Sequence, residues 1–132
     1  MRLILIATCL LMPVWAYAQE LETDRPARVN KQVSTSAGAV MRVIDRVAGR
    51  SETITVQSGQ SVRILDSVLY AVIAECRYYT SNPAGEAFAF IEVMDAQHAQ
   101  QLFNGWMIAS SPALNALEHN RYDIWPLRCI TS

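Results

Sequence analysis

Residues 87–94 read AFAFIEVM, and this stretch is the strongest indication of the fold class. In a β-strand successive side chains point to opposite faces, so Phe88 and Phe90 share one face while Ile91 shares the other with two alanines. Both faces are then apolar, which is typical of a strand in the middle of a sheet. Residues 82–85, NPAG, are dense in turn formers and separate this strand from the run before it. We therefore expect a β-rich domain with residues 87–94 as a central strand.

Further short runs of strand-forming residues lie on both sides of this stretch. In residues 51–57 the alternation is clean, with Ile54 and Val56 on one face and two threonines on the other. The other predicted strands are residues 39–47, 62–65, 68–79, 102–109 and 122–130. The run at 68–79 is long enough to be bent or bulged, and Pro126 predicts an edge position or a bulge for the last strand. About seven short strands at this spacing predict an all-β fold, either a small β-sandwich or a small barrel.

One short helix is predicted near the C-terminus. Ser111 followed by Pro112 is typical of a helix start, because a hydroxyl caps the first turn and proline fits the first helical position. We expect the helix to run to Glu118, with Leu114 and Leu117 on its apolar face.

The first 18 residues have the three parts of a secretory signal peptide. Arg2 supplies the positive charge, residues 3–15 are apolar, and Ala16-Tyr17-Ala18 is typical of a cleavage site. The apolar run contains Pro13 and is shorter than the ~20 residues that a membrane-spanning helix needs. We expect cleavage after Ala18, export to the periplasm, and no membrane span in the mature chain.

Length and charge limit the remaining classes of protein. The chain has 132 residues with 11 basic and 12 acidic side chains, so its net charge is −1. This charge gives no electrostatic reason to expect nucleic acid as a partner. Residues 19–38 mix charges with only scattered apolar residues, so we expect a disordered leader there. Residues 39–132 are then expected to form a single β-rich domain.

Cys76 and Cys129 are the cysteines that remain after signal cleavage. An even number of cysteines in an exported chain predicts a disulfide, and only one pairing is possible. A redox-active pair usually needs a C-x-x-C spacing, which the chain lacks, so a structural bridge is favoured.

The C-terminal third contains a long and unusual run of residues. Residues 103–119 read FNGWMIASSPALNALEH and are followed by YDIW at 122–125 and by Cys129. This run resembles the signature of the domain of unknown function 2155 family of proteobacterial proteins, and the resemblance extends more weakly upstream to Ala39. It implies an exported protein with paired cysteines and no assigned activity, and it carries over no catalytic residues.

The residue types themselves raise two candidate chemistries. Ser110, Ser111 and His119 are the residue types of a hydrolase, but neither serine lies in a G-x-S-x-G elbow. Asp95, His98, Glu118 and His119 are metal-binding types, but their spacing matches no known site. We therefore expect no enzyme activity, no metal and no cofactor.

A contact surface is the remaining hypothesis. Aromatic rings are common in surfaces that bind proteins or sugars. The candidate contact residues are Trp106, Tyr78, Tyr79, Ser110, Ser111, His119 and Tyr122. Trp106 and Trp125 each lie inside an apolar strand, which favours the core, whereas at least one of Tyr78 and Tyr79 is expected to face solvent. The expected partner is another envelope protein, with cell-wall glycan as the alternative and a small hydrolase as the third possibility.

Overall fold

The computed structural model describes residues 31–131, which form eight strands in two antiparallel sheets. The strands are β1 (Val33–Ser36), β2 (Gly38–Asp45), β3 (Arg50–Gln57), β4 (Ser61–Arg63), β5 (Leu69–Tyr79), β6 (Ala87–Asp95), β7 (Gln100–Ile108) and β8 (Tyr122–Cys129). The expected all-β fold is confirmed. The predicted signal peptide, residues 1–18, and residues 19–30 of the predicted leader lie outside the described residues.

The larger sheet has the strand order β1, β5, β6, β7, and β4 also pairs with β5. Since β6 lies between β5 and β7, the prediction of a central strand is confirmed. The smaller sheet has the order β3, β2, β8. Within residues 31–131, no helix is long and apolar enough to cross a membrane.

The two predicted irregularities in the strands are present. β5 has a bulge at Ala74. β8 lies at the edge of the smaller sheet, and Pro126 pairs with Met41 next to a bulge at Leu127. A proline is tolerated at such a position because an edge or a bulge does not require its missing N–H.

The chain passes from one sheet to the other at a corner. Only Ala37 separates β1 in the larger sheet from β2 in the smaller one. The N–H of Ser58 donates to the carbonyl of Ala37 (2.8 Å), and the N–H of Gly59 donates to the carbonyl of Ile73 (2.8 Å) where the chain returns to the larger sheet. Strands that change sheets at a bend are typical of a β-sandwich with a closed corner. Because the described strands form two separate sheets and not one closed sheet, the structure has the sandwich of the two predicted architectures.

β1 corrects the predicted boundary between leader and domain. The sequence places residues 33–36 in the leader, but Val33 pairs with Tyr79 and Ser36 pairs with Cys76. Ser36 is buried, and its hydroxyl donates to the carbonyl of Gly38 (3.0 Å). Backbone hydrogen bonds hold this polar segment in the sheet. The amino-acid composition of residues 19–38 does not show such pairing, so the predicted boundary came too late in the chain. The structured body therefore includes residues 33–38, and eight strands replace the expected seven.

The inner faces of the two sheets form the hydrophobic core. Its largest fully buried side chains include Met41, Ile64, Leu69, Ile73, Ile91, Met107 and Ile124. Cys76 of β5 and Cys129 of β8 form a disulfide across this core, with their Cα atoms 5.7 Å apart. The predicted pairing is confirmed, and it joins the two sheets covalently.

A carboxylate lies at the rim of the core. Asp45 is 5% exposed and accepts hydrogen bonds from the N–H groups of Val47 and Ala48, both at 3.0 Å. The guanidinium of Arg121 also donates to it at 2.7 Å. This hydrogen bond from Arg121 is the main reason that the pKa of Asp45 is lowered from 3.8 to about 2. The ion pair ties the turn after β2 to the start of β8.

The predicted helix is reduced to one 3-10 turn, Pro112–Leu114. Ser111 precedes the turn, but its side chain makes no capping hydrogen bond. Leu114 is 75% exposed, whereas Leu117 is 2% exposed and packs in the core. The expectation that Leu114 and Leu117 share an apolar helix face was wrong, because only Leu117 is buried.

Candidate functional site

β6 turns its alanine, isoleucine and valine side chains inward and both of its phenylalanines outward. Four inner side chains are fully buried, namely Ala87, Ala89, Ile91 and Val93. Phe88 and Phe90 point the other way and remain partly exposed. The outer surface of the larger sheet therefore carries phenyl rings where an antiparallel sheet usually carries polar side chains.

The register of the strands brings four rings together on this outer surface. Phe90 pairs with Trp106 of β7, and their ring centroids are 5.4 Å apart at 81°. The rings of Tyr79 and Phe88 are 5.5 Å apart at 84°. Both pairs have the edge-to-face geometry that aromatic rings prefer. We call these four residues the aromatic face.

Two cations lie over the aromatic face. The guanidinium of Arg77 is 5.0 Å from the Trp106 ring centroid, and the ammonium of Lys31 is 4.7 Å from the Tyr79 ring centroid. Arg77 also donates to Glu75 at 2.5 Å, and this hydrogen bond lowers the pKa of Glu75. A cation over a ring face is attracted by the negative charge density there. Arg77 thus contacts both a carboxylate of its own strand and the Trp106 ring.

Three rings of the aromatic face, those of Tyr79, Phe88 and Trp106, line a shallow, open hollow of about 380 Å³. It is lined by Val33, Arg77, Tyr79, Phe88, Trp106 and Ile108. Val33 is half exposed, so the hollow is open at the β1 side. Three of the lining side chains, those of Val33, Phe88 and Ile108, carry no polar atom. Such a surface is suited to receiving apolar side chains of another molecule.

The segment after β7 folds back along the outer edge of that strand. The N–H of Ser111 donates to the carbonyl of Ile108 (3.1 Å), and Nδ2 of Asn115 donates to the carbonyl of Trp106 (2.9 Å). A Cβ atom at Gly105 would lie 3.0 Å from Nδ2 of Asn115, so the glycine leaves room for this contact. The later part of the unusual 103–119 run, from residue 109 onward, thus covers part of the exposed edge of β7, and proteins commonly protect such edges.

Of the predicted contact residues, the structure brings Trp106 and Tyr79 together. Trp106 was expected in the core, and this was wrong, because the inward position of β7 is taken by its neighbour Met107. Tyr78 packs against the core instead, as does Trp125. Tyr79 is therefore the tyrosine of its pair that faces outward.

The remaining predicted contact residues lie away from the aromatic face. The hydroxyl and the N–H of Ser110 both donate to Glu86. Tyr122 is buried, with its ring centroid 5.4 Å from that of His119. Nδ1 of His119 accepts the N–H groups of Arg121 (3.1 Å) and Tyr122 (3.0 Å), so it stabilises the turn before β8.

Serine, histidine and acidic side chains are the residue types that could support catalysis or metal binding. Among the hydrogen bonds of the described residues, none joins His119 to Ser110 or Ser111. His98 Nδ1 lies 2.7 Å from Asp95 in the turn between β6 and β7. Within residues 31–131 there is no group of three or more histidine, cysteine or acidic side chains placed to hold a metal ion.

Sequence reasoning missed Phe88, Phe90, Arg77 and Ile108 as members of the site. The alternation in residues 87–94 did place both phenylalanines on one face, and this signal could have identified them. It did not show which face lies inward, because both faces consist of apolar residue types.

The fold and the site define a disulfide-bonded β-sandwich with an aromatic outer surface. The chain belongs to the domain of unknown function 2155 family, described as "Uncharacterized protein conserved in bacteria", whose model matches residues 39–129. This confirms the resemblance drawn from the sequence. No curated protein and no solved structure matches the chain.

Proposed function

We propose that this chain is an exported, non-catalytic binding protein that contacts another envelope protein through the aromatic face. The observation that carries the proposal is the four-ring surface of Tyr79, Phe88, Phe90 and Trp106 outside a core that is already filled. Export is supported by the signal-like residues 1–18 and by the disulfide, which persists in oxidising compartments.

The chemistry of the hollow supports a protein over a glycan. Sugar hydroxyl groups need many hydrogen-bonding partners, and a buried polar group left without one is costly. Half of the side chains that line the hollow lack any polar atom. Aromatic and arginine side chains such as Trp106 and Arg77 are also the residue types enriched in protein–protein contacts.

Site-specific photo-cross-linking in whole cells tests this proposal. A benzoyl-phenylalanine in place of Tyr79 is expected to capture one envelope protein specifically. Tyr70 supplies the matched control, because it is an exposed tyrosine at the opposite end of the same strand. Equal capture from both positions, or no capture from position 79, would contradict the proposal.

A parallel assay addresses the glycan alternative. Purified cell-wall sacculi are sedimented with the wild-type protein and with Trp106→Ala. We expect no co-sedimentation of either protein. Co-sedimentation that is lost in Trp106→Ala would overturn the choice of a protein partner.

A further inference from the structure

β7 has an open edge beside the aromatic face. The N–H of Ala109 donates to the carbonyl of Ala87 (2.9 Å), so this pair bonds across β6 and β7. In an antiparallel ladder, residues bonded to the neighbour alternate with residues whose N–H and C=O point away. Met107 and Gly105 therefore bond to β6, whereas Ile108, Trp106 and Asn104 direct their backbone groups away from it.

Only part of this edge is occupied. The carbonyl of Ile108 accepts the N–H of Ser111, and the carbonyl of Trp106 accepts Nδ2 of Asn115. The N–H groups of Asn104 and Trp106 and the carbonyl of Asn104 have no hydrogen bond to another described residue. The Asn115 amide stands where a peptide N–H of a neighbouring strand would stand.

We propose that β7 pairs with an extended segment of the partner protein, which adds one strand to the larger sheet and displaces the Asn115 amide. This inference rests on the proposed function. A polypeptide strand presents N–H and C=O groups at intervals of about 6.8 Å, the spacing of Asn104 and Trp106. Alternate side chains of that segment then lie next to Trp106 on the aromatic face.

Proline substitution tests the pairing directly. Asn104→Pro removes an outward-pointing N–H, and the bonds between β7 and β6 do not use that group. Thr53→Pro is the matched control, because the N–H of Thr53 points away from β2 at the edge of the smaller sheet. Both variants are made in the chain that carries the cross-linker at position 79, and their melting temperatures are measured.

We expect Asn104→Pro to reduce capture about tenfold, which corresponds to the loss of about one backbone hydrogen bond, and Thr53→Pro to leave capture unchanged. Equal capture by Asn104→Pro and wild type would overturn strand addition and leave the proposed function intact. Equal losses in the two proline variants would also overturn it. A product of twice the chain's mass would identify a second copy and overturn the choice of partner.

Asn115→Ala provides an independent variant if Asn104→Pro does not fold. It empties the edge at Trp106, so capture is expected to rise about threefold, which corresponds to one weak hydrogen bond no longer competing. Unchanged or reduced capture by a folded Asn115→Ala would contradict the displacement of this amide. Absence of any capture in the wild type would overturn the proposed function and strand addition together.

Discussion

The two faces of β6 differ in burial, because the inner face belongs to the hydrophobic core and the outer face carries partly exposed rings. The inner face uses alanine and β-branched side chains, and all four are fully buried against the other sheet. The outer face uses Phe88 and Phe90, whose rings pack against those of Tyr79 and Trp106. Because these rings are not part of the buried core, the proposed function assigns their partly exposed apolar surface to the partner. Substitutions on the two faces should therefore have different effects.

The largest effect is expected from the covalent link between the inner faces. Replacing both cysteines, Cys76→Ala with Cys129→Ala, removes a bridge between residues 53 positions apart in the sequence. Loop-closure entropy makes this worth about 4 kcal/mol of unfolding free energy. Urea denaturation of the double variant is the measurement, and reduced wild-type protein is the control. Unchanged unfolding of the double variant would contradict a stabilising role for the bridge.

A substitution on each face of β6 tests the comparison itself. Ile91→Ala leaves a cavity in the core and should cost about 2 to 5 kcal/mol. Met94→Ala, on the outer face of the same strand, should cost less than about 1 kcal/mol because the side chain stays partly solvated. Denaturant midpoints of the two variants measure the difference. Equal losses would mean that the outer face also contributes to the core.

Residue patterns predicted the strands better than they predicted the site. Alternation identified β3 and β6, and Pro126 correctly indicated an edge, because both signals depend on local backbone geometry. The inward direction of β6 depends on how its side chains pack against the opposite sheet, and there Ala87, Ala89 and Ile91 are fully buried. β1 depends on pairing with distant residues of β5. Residue type near these positions does not carry that information.

The rim of the inner face should make stability depend on pH. Arg121 lowers the pKa of Asp45 to about 2, so the stabilisation from this carboxylate is complete above its unfolded pKa near 3.8. This stabilisation is lost as the pH falls from about 4 to 2, because the carboxylate binds a proton more readily in the unfolded chain than in the folded one.

The substitution Asp45→Asn retains a side-chain oxygen for the turn hydrogen bonds and removes the charge. Thermal melting of wild type and Asp45→Asn is therefore expected to differ most above about pH 5 and to converge near pH 2. A constant difference across this range would show that the charge is not responsible.

The smallest effect is expected in the turn between β6 and β7, two of the three strands that carry the aromatic face. Ala99 has a left-handed φ of 50°, and Gly49 has a φ of 65° in the hairpin turn between β2 and β3. A left-handed backbone costs an L-residue about 1 to 2 kcal/mol, and glycine avoids this cost but loses more entropy on folding. Ala99→Gly should therefore raise the unfolding free energy by about 0.5 kcal/mol, which corresponds to a rise in melting temperature of roughly 2 to 4 °C.

Ala96→Gly in the same turn is the matched control and should lower the melting temperature, because Ala96 does not have a positive φ. Cross-linking from position 79 should be the same in both variants, since this turn lies at the end of β6 away from Phe88. A change in capture that followed the change in stability would contradict the separation of the two faces.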